Sequence, residues 1–177
     1  GRLRSRRHIL DVMLLNCYFF DTVGEHDMRL ILMAAALGSA VTASAHALQS
    51  GYDPTYGQTT LEAGFTPNPV TVNLTAGGVI DAAAEIGGDC TGQIAIAPDY
   101  LVAYSGDGSA LTIAADSPFD TVLAVQGPDG VWHCDDDGAG GNDPRIVFEG
   151  AAHGEYAIRV GSKDGDARAV LTVEETR

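Results

Sequence analysis

Downstream of Leu48, the chain carries short runs in which apolar and polar residues alternate, separated by turns rich in Gly, Pro, Asp and Asn. This feature constrains the fold most strongly, because successive side chains of a β-strand point to opposite faces of a sheet. The runs lie at 70–74, 94–96, 111–113, 121–125, 131–132, 146–148, 156–160 and 169–173. No stretch sustains the 3.6-residue apolar period of a helix. The pattern predicts an all-β fold, an antiparallel and jelly-roll-like β-sandwich of about eight to ten strands.

Two local signals refine this prediction. Residues 121–125 are almost uniformly apolar, as expected of a central strand with both faces buried. The turn Gly127-Pro-Asp-Gly follows and predicts a hairpin to a strand near Trp132. We expect residues 48–65 to form a loosely ordered lead-in with at most one edge strand, and residues 66–177 to form the sandwich domain.

The segment 28–47 has the features of a secretory signal peptide. It opens with a basic dipeptide at Met28, continues with an apolar run and ends in alternating small residues. The run is shorter than the ~20 apolar residues of a membrane-spanning helix. This favours cleavage after Ala47 or Ala45 over an uncleaved anchor or a buried helix, and predicts a secreted or periplasmic protein that is not attached to the membrane after cleavage. Residues 1–27 precede this signal, and we interpret them as an upstream extension that is not native.

The charge of the chain excludes two classes of partner. Ten Lys and Arg stand against 24 Asp and Glu, which gives −14, and residues 48–177 alone carry five basic and 20 acidic residues, a net charge of −15. Proteins that bind nucleic acid need a basic face. Anionic lipid likewise attracts Lys and Arg. We therefore expect neither nucleic acid nor a membrane surface as a partner.

The cysteine content agrees with export. Residues 48–177 contain two cysteines, Cys90 and Cys134. An even number in an oxidising compartment predicts one disulfide. Two free, buried thiols are the alternative. A metal site on this pair is less favoured, because His133 is the only nearby nitrogen ligand and adjacent residues of a strand point to opposite faces.

The groups needed for hydrolysis are sparse. Residues 48–177 contain two histidines, His133 and His153, and no serine in a G-x-S-x-G motif. The H-E-x-x-H pattern of zinc hydrolases is missing as well. A serine hydrolase needs an activated serine, a histidine and an acid in one place. We predict that the protein is not an enzyme, and a small secreted hydrolase is the alternative.

The densest polar cluster follows Cys134 and reads Asp-Asp-Asp-Gly-Ala-Gly-Gly-Asn-Asp. Ca²⁺ takes six to eight oxygen ligands in a flexible geometry, which such a composition can supply. The predicted ligands are Asp135, Asp137, Asn142 and Asp143, with Asp120 from a neighbouring strand. Asp136 would point away, because side chains alternate along an extended segment. The spacing is not that of an EF-hand, and the alternative is a solvated acidic turn whose Asp side chains cap their own loop.

Trp132 is the only tryptophan of the chain. Its ring is a candidate platform for stacking a sugar or a peptide. The favoured alternative is packing near the disulfide.

Several motifs between residues 52 and 174 together match a pattern known from one family. Downstream they are Asp120-Thr-Val-Leu-Ala-Val, Gly127-Pro-Asp-Gly, Trp132-His-Cys-Asp-Asp-Asp, Asn142-Asp-Pro-Arg-Ile and Gly154-Glu-Tyr-Ala-Ile-Arg-Val-Gly. Upstream they are Gly64-Phe-Thr-Pro-Asn-Pro, Ala76-Gly-Gly and Cys90-Thr-Gly-Gln-Ile-Ala-Ile-Ala-Pro-Asp. They resemble the bacterial pre-peptidase C-terminal domain family, in particular a stand-alone exported subgroup. The resemblance implies a jelly-roll-like sandwich of the kind appended to secreted proteases, in which some members bind calcium or assist substrate binding.

Taken together, the sequence predicts a non-catalytic, exported binding or accessory module that contacts a protein or a glycan at the cell surface. Calcium is its candidate cofactor. Besides the hydrolase, a structural or secretion-aiding domain with no ligand beyond ions is the remaining alternative.

Overall fold

The computed structural model describes Leu48 and residues 51–176 of the chain. The predicted extension 1–27 and the predicted signal peptide 28–47 lie outside these residues. The strands are β1 (Gln58–Glu62), β2 (Val70–Ala76), β3 (Ile80–Asp81), β4 (Gln93–Ile94), β5 (Tyr100–Ser105), β6 (Ala110–Asp116), β7 (Thr121–Gln126), β8 (Trp132–Asp135), β9 (Arg145–Phe148), β10 (Gly154–Ser162) and β11 (Ala167–Thr176). One short helix, α1, spans Ala82–Glu85. No helix of this part of the chain is long and apolar enough to cross a membrane.

The strands form two sheets, which confirms the predicted all-β sandwich. The smaller sheet has the order β2-β11-β6-β9. The larger sheet has the order β1-β5-β10-β4-β3, and β7 and β8 continue it from the other side of β10. The pairing is antiparallel except between β1 and β5, which run parallel. The predicted hairpin is confirmed, with Gln126 of β7 opposite Trp132 of β8.

The structure contains three strands that the alternating pattern did not specify. Strand β1 lies at the edge of the larger sheet and is the single strand between residues 51 and 65, as the lead-in prediction allowed. Strand β5 was missed because its outward residues, Leu101 and Ala103, are apolar like its inward ones and hide the alternation. Strand β3 has only two residues, too few to show a period.

The main core lies between the two sheets. Its fully buried side chains come from the inward positions of both sheets and include Val102, Tyr104, Leu111, Ile113, Leu123, Val125, Tyr156, Ile158, Val160, Leu171 and Val173. Burying each large aliphatic side chain contributes roughly 1.5–3 kcal/mol. This core fixes the inward face of every long strand, so that polar and functional residues are left to the outward faces and the loops.

A second, smaller core covers part of the outer face of the larger sheet. It contains Ala82, Cys90, Ile94, Val122 and Ala124. The segment that carries α1 and β4 folds over β7 there, which explains why β7 is apolar on both faces. The disulfide between Cys90 and Cys134 is confirmed, with Cα atoms 5.0 Å apart, and it ties this segment to β8.

Candidate functional site

The first residue of the acidic loop, Asp135, binds its own loop. Its Oδ2 atom accepts hydrogen bonds from the backbone amides of Gly138 and Arg145, at 2.7 and 2.8 Å. A Cβ atom on Gly138 would lie 2.6 Å from the same oxygen, so a larger residue there would displace the carboxylate. Asp135 therefore closes the turn that leads from β8 to β9.

Asp120 and Asp136 share a cation. The Nζ atom of Lys163 lies 2.8 Å from a carboxylate oxygen of Asp136 and 3.3 Å from one of Asp120. The hydrogen bond to Asp136 is the largest cause that raises the pKa of Lys163. Asp120 is thus paired with a lysine that follows β10, and it shares this lysine with Asp136, the loop aspartate that was not among the predicted ligands.

The remaining predicted calcium ligands lie further along the loop. Oδ1 of Asp143 accepts a hydrogen bond of 3.0 Å from the amide of Ser117. Asp137 and Asn142 are exposed, and their carbonyls accept hydrogen bonds from Gly140 and Thr121.

Within the described residues, no three His, Cys, Asp or Glu side chains form a group that could hold a metal ion. The loop has the contacts expected of the alternative interpretation, an acidic turn that caps itself. Calcium binding stays a prediction.

Trp132 is half-buried and packs against the smaller core. The guanidinium carbon of Arg159 lies 5.2 Å from the centroid of its ring, within the range of a cation–π contact. One face of the indole is therefore already occupied by a side chain of the protein. The role of Trp132 as a ligand platform stays a prediction.

The described serine hydroxyls have hydrogen-bond partners other than histidine. The hydroxyls of Ser109, Ser117 and Ser162 donate to Asp107 or to backbone carbonyls. The ring of His133 packs against that of Phe148, with centroids 4.8 Å apart. His153 lies beside a groove of the larger sheet. Among the hydrogen bonds of the described serine hydroxyls, none goes to a histidine.

That groove is the feature that sequence reasoning missed. It has a volume of about 570 Å³ and lies on the outer face of the larger sheet, next to the smaller core. Its floor includes Leu101, Ala157 and Gln126, which are neighbours across β5, β10 and β7. Residues 51–54 and the turn after β7 form its rim. Binding sites for small ligands typically have 300–1,000 Å³, so the groove is large enough to bind one.

The groove continues towards β1. A smaller hollow of about 210 Å³ shares Gln58, Leu101 and Glu155 with it. Together the two hollows follow the outer face of β1, β5 and β10.

Arg159 lines the groove at its boundary with the smaller core. The residue is only 2% exposed, although it carries a charge. Its Nε and Nη2 atoms donate to the carbonyls of Ala95 and Ile96, at 3.1 and 2.9 Å. No described atom of the protein accepts a hydrogen bond from Nη1, which is buried. Burial lowers the pKa of Arg159 to about 10, so that the side chain is still cationic at neutral pH.

Asp99 lies behind Arg159 and is 3% exposed. Its Oδ2 atom accepts a 2.7 Å hydrogen bond from the amide of Val160. This amide lies between the part of β10 that pairs with β5 and the residue that pairs with β4, so the carboxylate fills a break in the ladder. Burial raises the pKa of Asp99 to about 7, against the opposing effects of that hydrogen bond and of Arg159.

Comparison with known proteins adds two similar structures. One is PliG of Aeromonas hydrophila, a periplasmic inhibitor of g-type lysozyme, with 13% identity and a TM-score of 0.39. The other is the pre-peptidase C-terminal domain of a collagenase from Bacillus anthracis, with 15% identity and a TM-score of 0.41. Each comparison covers 71% of this chain and 100% of the other. No protein-family model and no curated protein matches the chain. At such identities and TM-scores the likeness carries no argument about function, which has to come from this chain's own residues.

Proposed function

We propose that this chain is a non-catalytic, exported β-sandwich module that binds a protein through the groove on the outer face of its larger sheet. The observation that carries the proposal is the groove itself. Three neighbouring strands supply its floor, a loop and a turn supply its rim, and its volume is about 570 Å³. A rigid sheet holds such a floor in place without a ligand, which lowers the entropic cost of binding.

Export is supported by the disulfide between Cys90 and Cys134. Disulfides persist in oxidising compartments and are rare in the cytosol. The predicted signal peptide 28–47 agrees with this. A binding module without catalysis is supported by the serine hydroxyls of Ser109, Ser117 and Ser162, which donate to Asp107 or to backbone carbonyls, whereas a hydrolytic triad needs a serine bonded to a histidine.

A protein is favoured over a glycan as the partner. Sugar-binding sites commonly rely on an open aromatic ring, whose apolar body and flat face suit stacking. Here one face of the Trp132 indole is occupied by the Arg159 guanidinium. Among the described residues that line the groove, Tyr52 is the one Phe, Trp or Tyr, and it lies at the rim and not on the floor.

Photo-crosslinking tests the proposal directly. Benzoylphenylalanine is introduced at Gln58, which is exposed and lines the groove, and in a matched control at Glu174, which is exposed on the outer face of the smaller sheet. In cells that naturally produce the protein, we expect the Gln58 variant to form a covalent adduct with a protein and the Glu174 variant to form none. An absence of adducts at Gln58, or the same adducts from both positions, would contradict the proposal and favour a structural domain without a partner.

A further inference from the structure

We propose that the groove recognises an extended peptide segment by two opposite charges, a carboxylate held by Arg159 and a basic side chain placed at Glu155. This inference rests on the proposed function, since it specifies the ligand of the same groove. The guanidinium of Arg159 is unusual in this groove, because it is a charged group that is almost fully buried.

The guanidinium of Arg159 has one donor group that the protein does not use. Buried polar groups in folded proteins nearly always have hydrogen-bond partners. Two of the three nitrogens of Arg159 have carbonyl acceptors, and Nη1 has none among the described residues. A ligand carboxylate bound to Nη1 would supply a charge-assisted acceptor, which is stronger than a neutral one. Because Nη1 is shielded from solvent in the unbound protein, this contact requires the side chains around it to shift when the ligand binds.

Arg159 interacts electrostatically with Asp99 but forms no ion pair with a described side chain. No described carboxylate oxygen forms an ion pair with it within 4.0 Å, and Asp99 directs its Oδ2 atom at the Val160 amide instead. The indole of Trp132 attracts the cation but carries no net charge. Apart from this interaction with Asp99, no described carboxylate balances the charge of Arg159.

The negative charge of the rest of the surface makes Arg159 a distinctive binding point for an anionic group. Residues 48–177 have a net charge of −15, which repels anions from most of the surface. Among the described residues that line the groove, Arg159 is the one Lys or Arg, Asp53 and Glu155 are acidic, and His153 is the one histidine. Arg159 is therefore the permanent cation that an anionic group meets in this groove. The acidic residues favour a cationic group elsewhere on the same ligand.

The spacing of the two charges fits an extended peptide. Glu155, Ala157 and Arg159 are alternate residues of β10 and point to the same outer face. Four residues of a strand span about 13 Å, so Glu155 and Arg159 have Cα atoms roughly that far apart. A bound segment in extended conformation would place its own residues i and i+4 at the same separation. Between them, the small side chain of Ala157 leaves space over the floor.

The test uses defined pentapeptides with blocked ends. The probes are acetyl-Asp-Thr-Ala-Thr-Lys-amide and its reverse sequence, because the direction of the bound segment is not fixed by the charges. The matched controls carry Asn for Asp or Gln for Lys. Binding is followed by ¹⁵N chemical shifts of the mature protein, including the Arg159 Nε–H group and the amides of Ala157 and Gln126. We expect one of the two orders to shift these signals, and the Asn peptide to bind at least about tenfold more weakly.

Variants separate the two charges. Glu155→Gln should weaken binding of the Lys peptide to the affinity of its Gln control. It should leave the melting temperature unchanged, because Glu155 is exposed. Glu174→Gln removes one charge from the outer face of the smaller sheet and should change nothing. Arg159→Lys should weaken binding of the Asp peptide. If Arg159→Lys does not fold, the Asn peptide and Glu155→Gln still decide.

Each remaining outcome contradicts the inference. It fails if the Asp and Asn peptides bind equally well, or if no groove signal shifts up to about 10 mM peptide. If digalacturonate binds and neither peptide does, the ligand carboxylate belongs to an acidic sugar, and the inference of a peptide ligand is wrong. If the charged peptides fail while Gln58 still crosslinks to a protein, this inference falls and the proposed function stands.

Discussion

At the scale of single residues, Asp99 and Arg159 show how the fold retains charged groups where the main chain needs them. Asp99 satisfies an amide of β10 that neither β5 nor β4 reaches, and Arg159 satisfies two carbonyls of the segment before β5. Both groups lose hydration for this. Burial accordingly shifts the pKa of each towards its neutral form, upward for Asp99 and downward for Arg159.

The raised pKa of Asp99 predicts how stability depends on pH. Its value of about 7 in the folded protein lies above the ordinary 3.8, so the folded state binds the proton more tightly than the unfolded chain. Protonated Asp99 therefore adds to the free energy of unfolding. This contribution is fully present below about pH 4 and is lost as the pH rises through about 7. Asp99→Asn should remove this dependence, which amounts to roughly 4 kcal/mol, while its amide oxygen still accepts from Val160.

Urea unfolding at several pH values between about 4 and 8 measures this effect. Glu174→Gln, which removes one exposed carboxylate, controls for the general charge of the protein. If Asp99→Asn and the parent protein lose stability equally as the pH rises, the account of Asp99 is wrong.

At the scale of elements, the disulfide joins the segment before β5 to β8 and closes the smaller core. It encloses a loop with a sequence separation of 44 residues. Replacing both Cys90 and Cys134 by Ser should lower the free energy of unfolding by roughly 2–4 kcal/mol, because the unfolded chain gains entropy. Denaturant unfolding of the double variant measures this. A loss well below 1 kcal/mol would mean that the packing of Ile94 and Val122 alone holds the segment.

Melting experiments on the acidic loop test whether it binds Ca²⁺. If Ca²⁺ binds at Asp135, Asp137, Asn142 and Asp143, with Asp120 as a further ligand, a concentration of 100 times Kd adds about 2.7 kcal/mol to stability. EDTA should then lower the melting temperature, Ca²⁺ should restore it, and Asp137→Ala should abolish the response. Equal melting curves in EDTA and in Ca²⁺ would leave the loop stabilised by Lys163 and by the amides that Asp135 accepts.

The sequence predicted the elements whose two faces differ and missed those whose faces resemble each other. Strands β2, β10 and β11 alternate clearly and were placed well, and the uniformly apolar β7 proved to be central. Strand β5 and the parallel pairing of β1 were not predicted, because pairing direction depends on long-range contacts that no local pattern encodes.

The groove was missed for a similar reason. Its walls come from residues 51–54, from three strands and from the turn after β7, which meet only in the folded protein. Arg159 occupied a polar position of an alternating strand and therefore had the pattern of an exposed residue. Its burial follows from the segment at Ala95 and Ile96 that folds over it, which the alternation along β10 does not reveal.

At the scale of the whole molecule, export predicts a defined mature terminus. The predicted signal peptide 28–47 should be cleaved after Ala47 or Ala45, which leaves Leu48 or His46 as the first residue. Intact-mass measurement of protein exported by a bacterial host checks this. Secreted protein that still carries residues 1–27 would contradict both the signal peptide and the interpretation of those residues as an extension.

The central claim is that the groove on the outer face of the larger sheet binds a protein. Crosslinking from Gln58 compared with Glu174 tests it most directly. Both positions are exposed, but Gln58 lies on the larger sheet and Glu174 on the smaller one. We predict a protein adduct from Gln58 that weakens when Leu101 in the floor of the groove is replaced by Arg, and none from Glu174. Adducts that are equal from both positions, or that persist unchanged in the Leu101→Arg variant, would contradict the account.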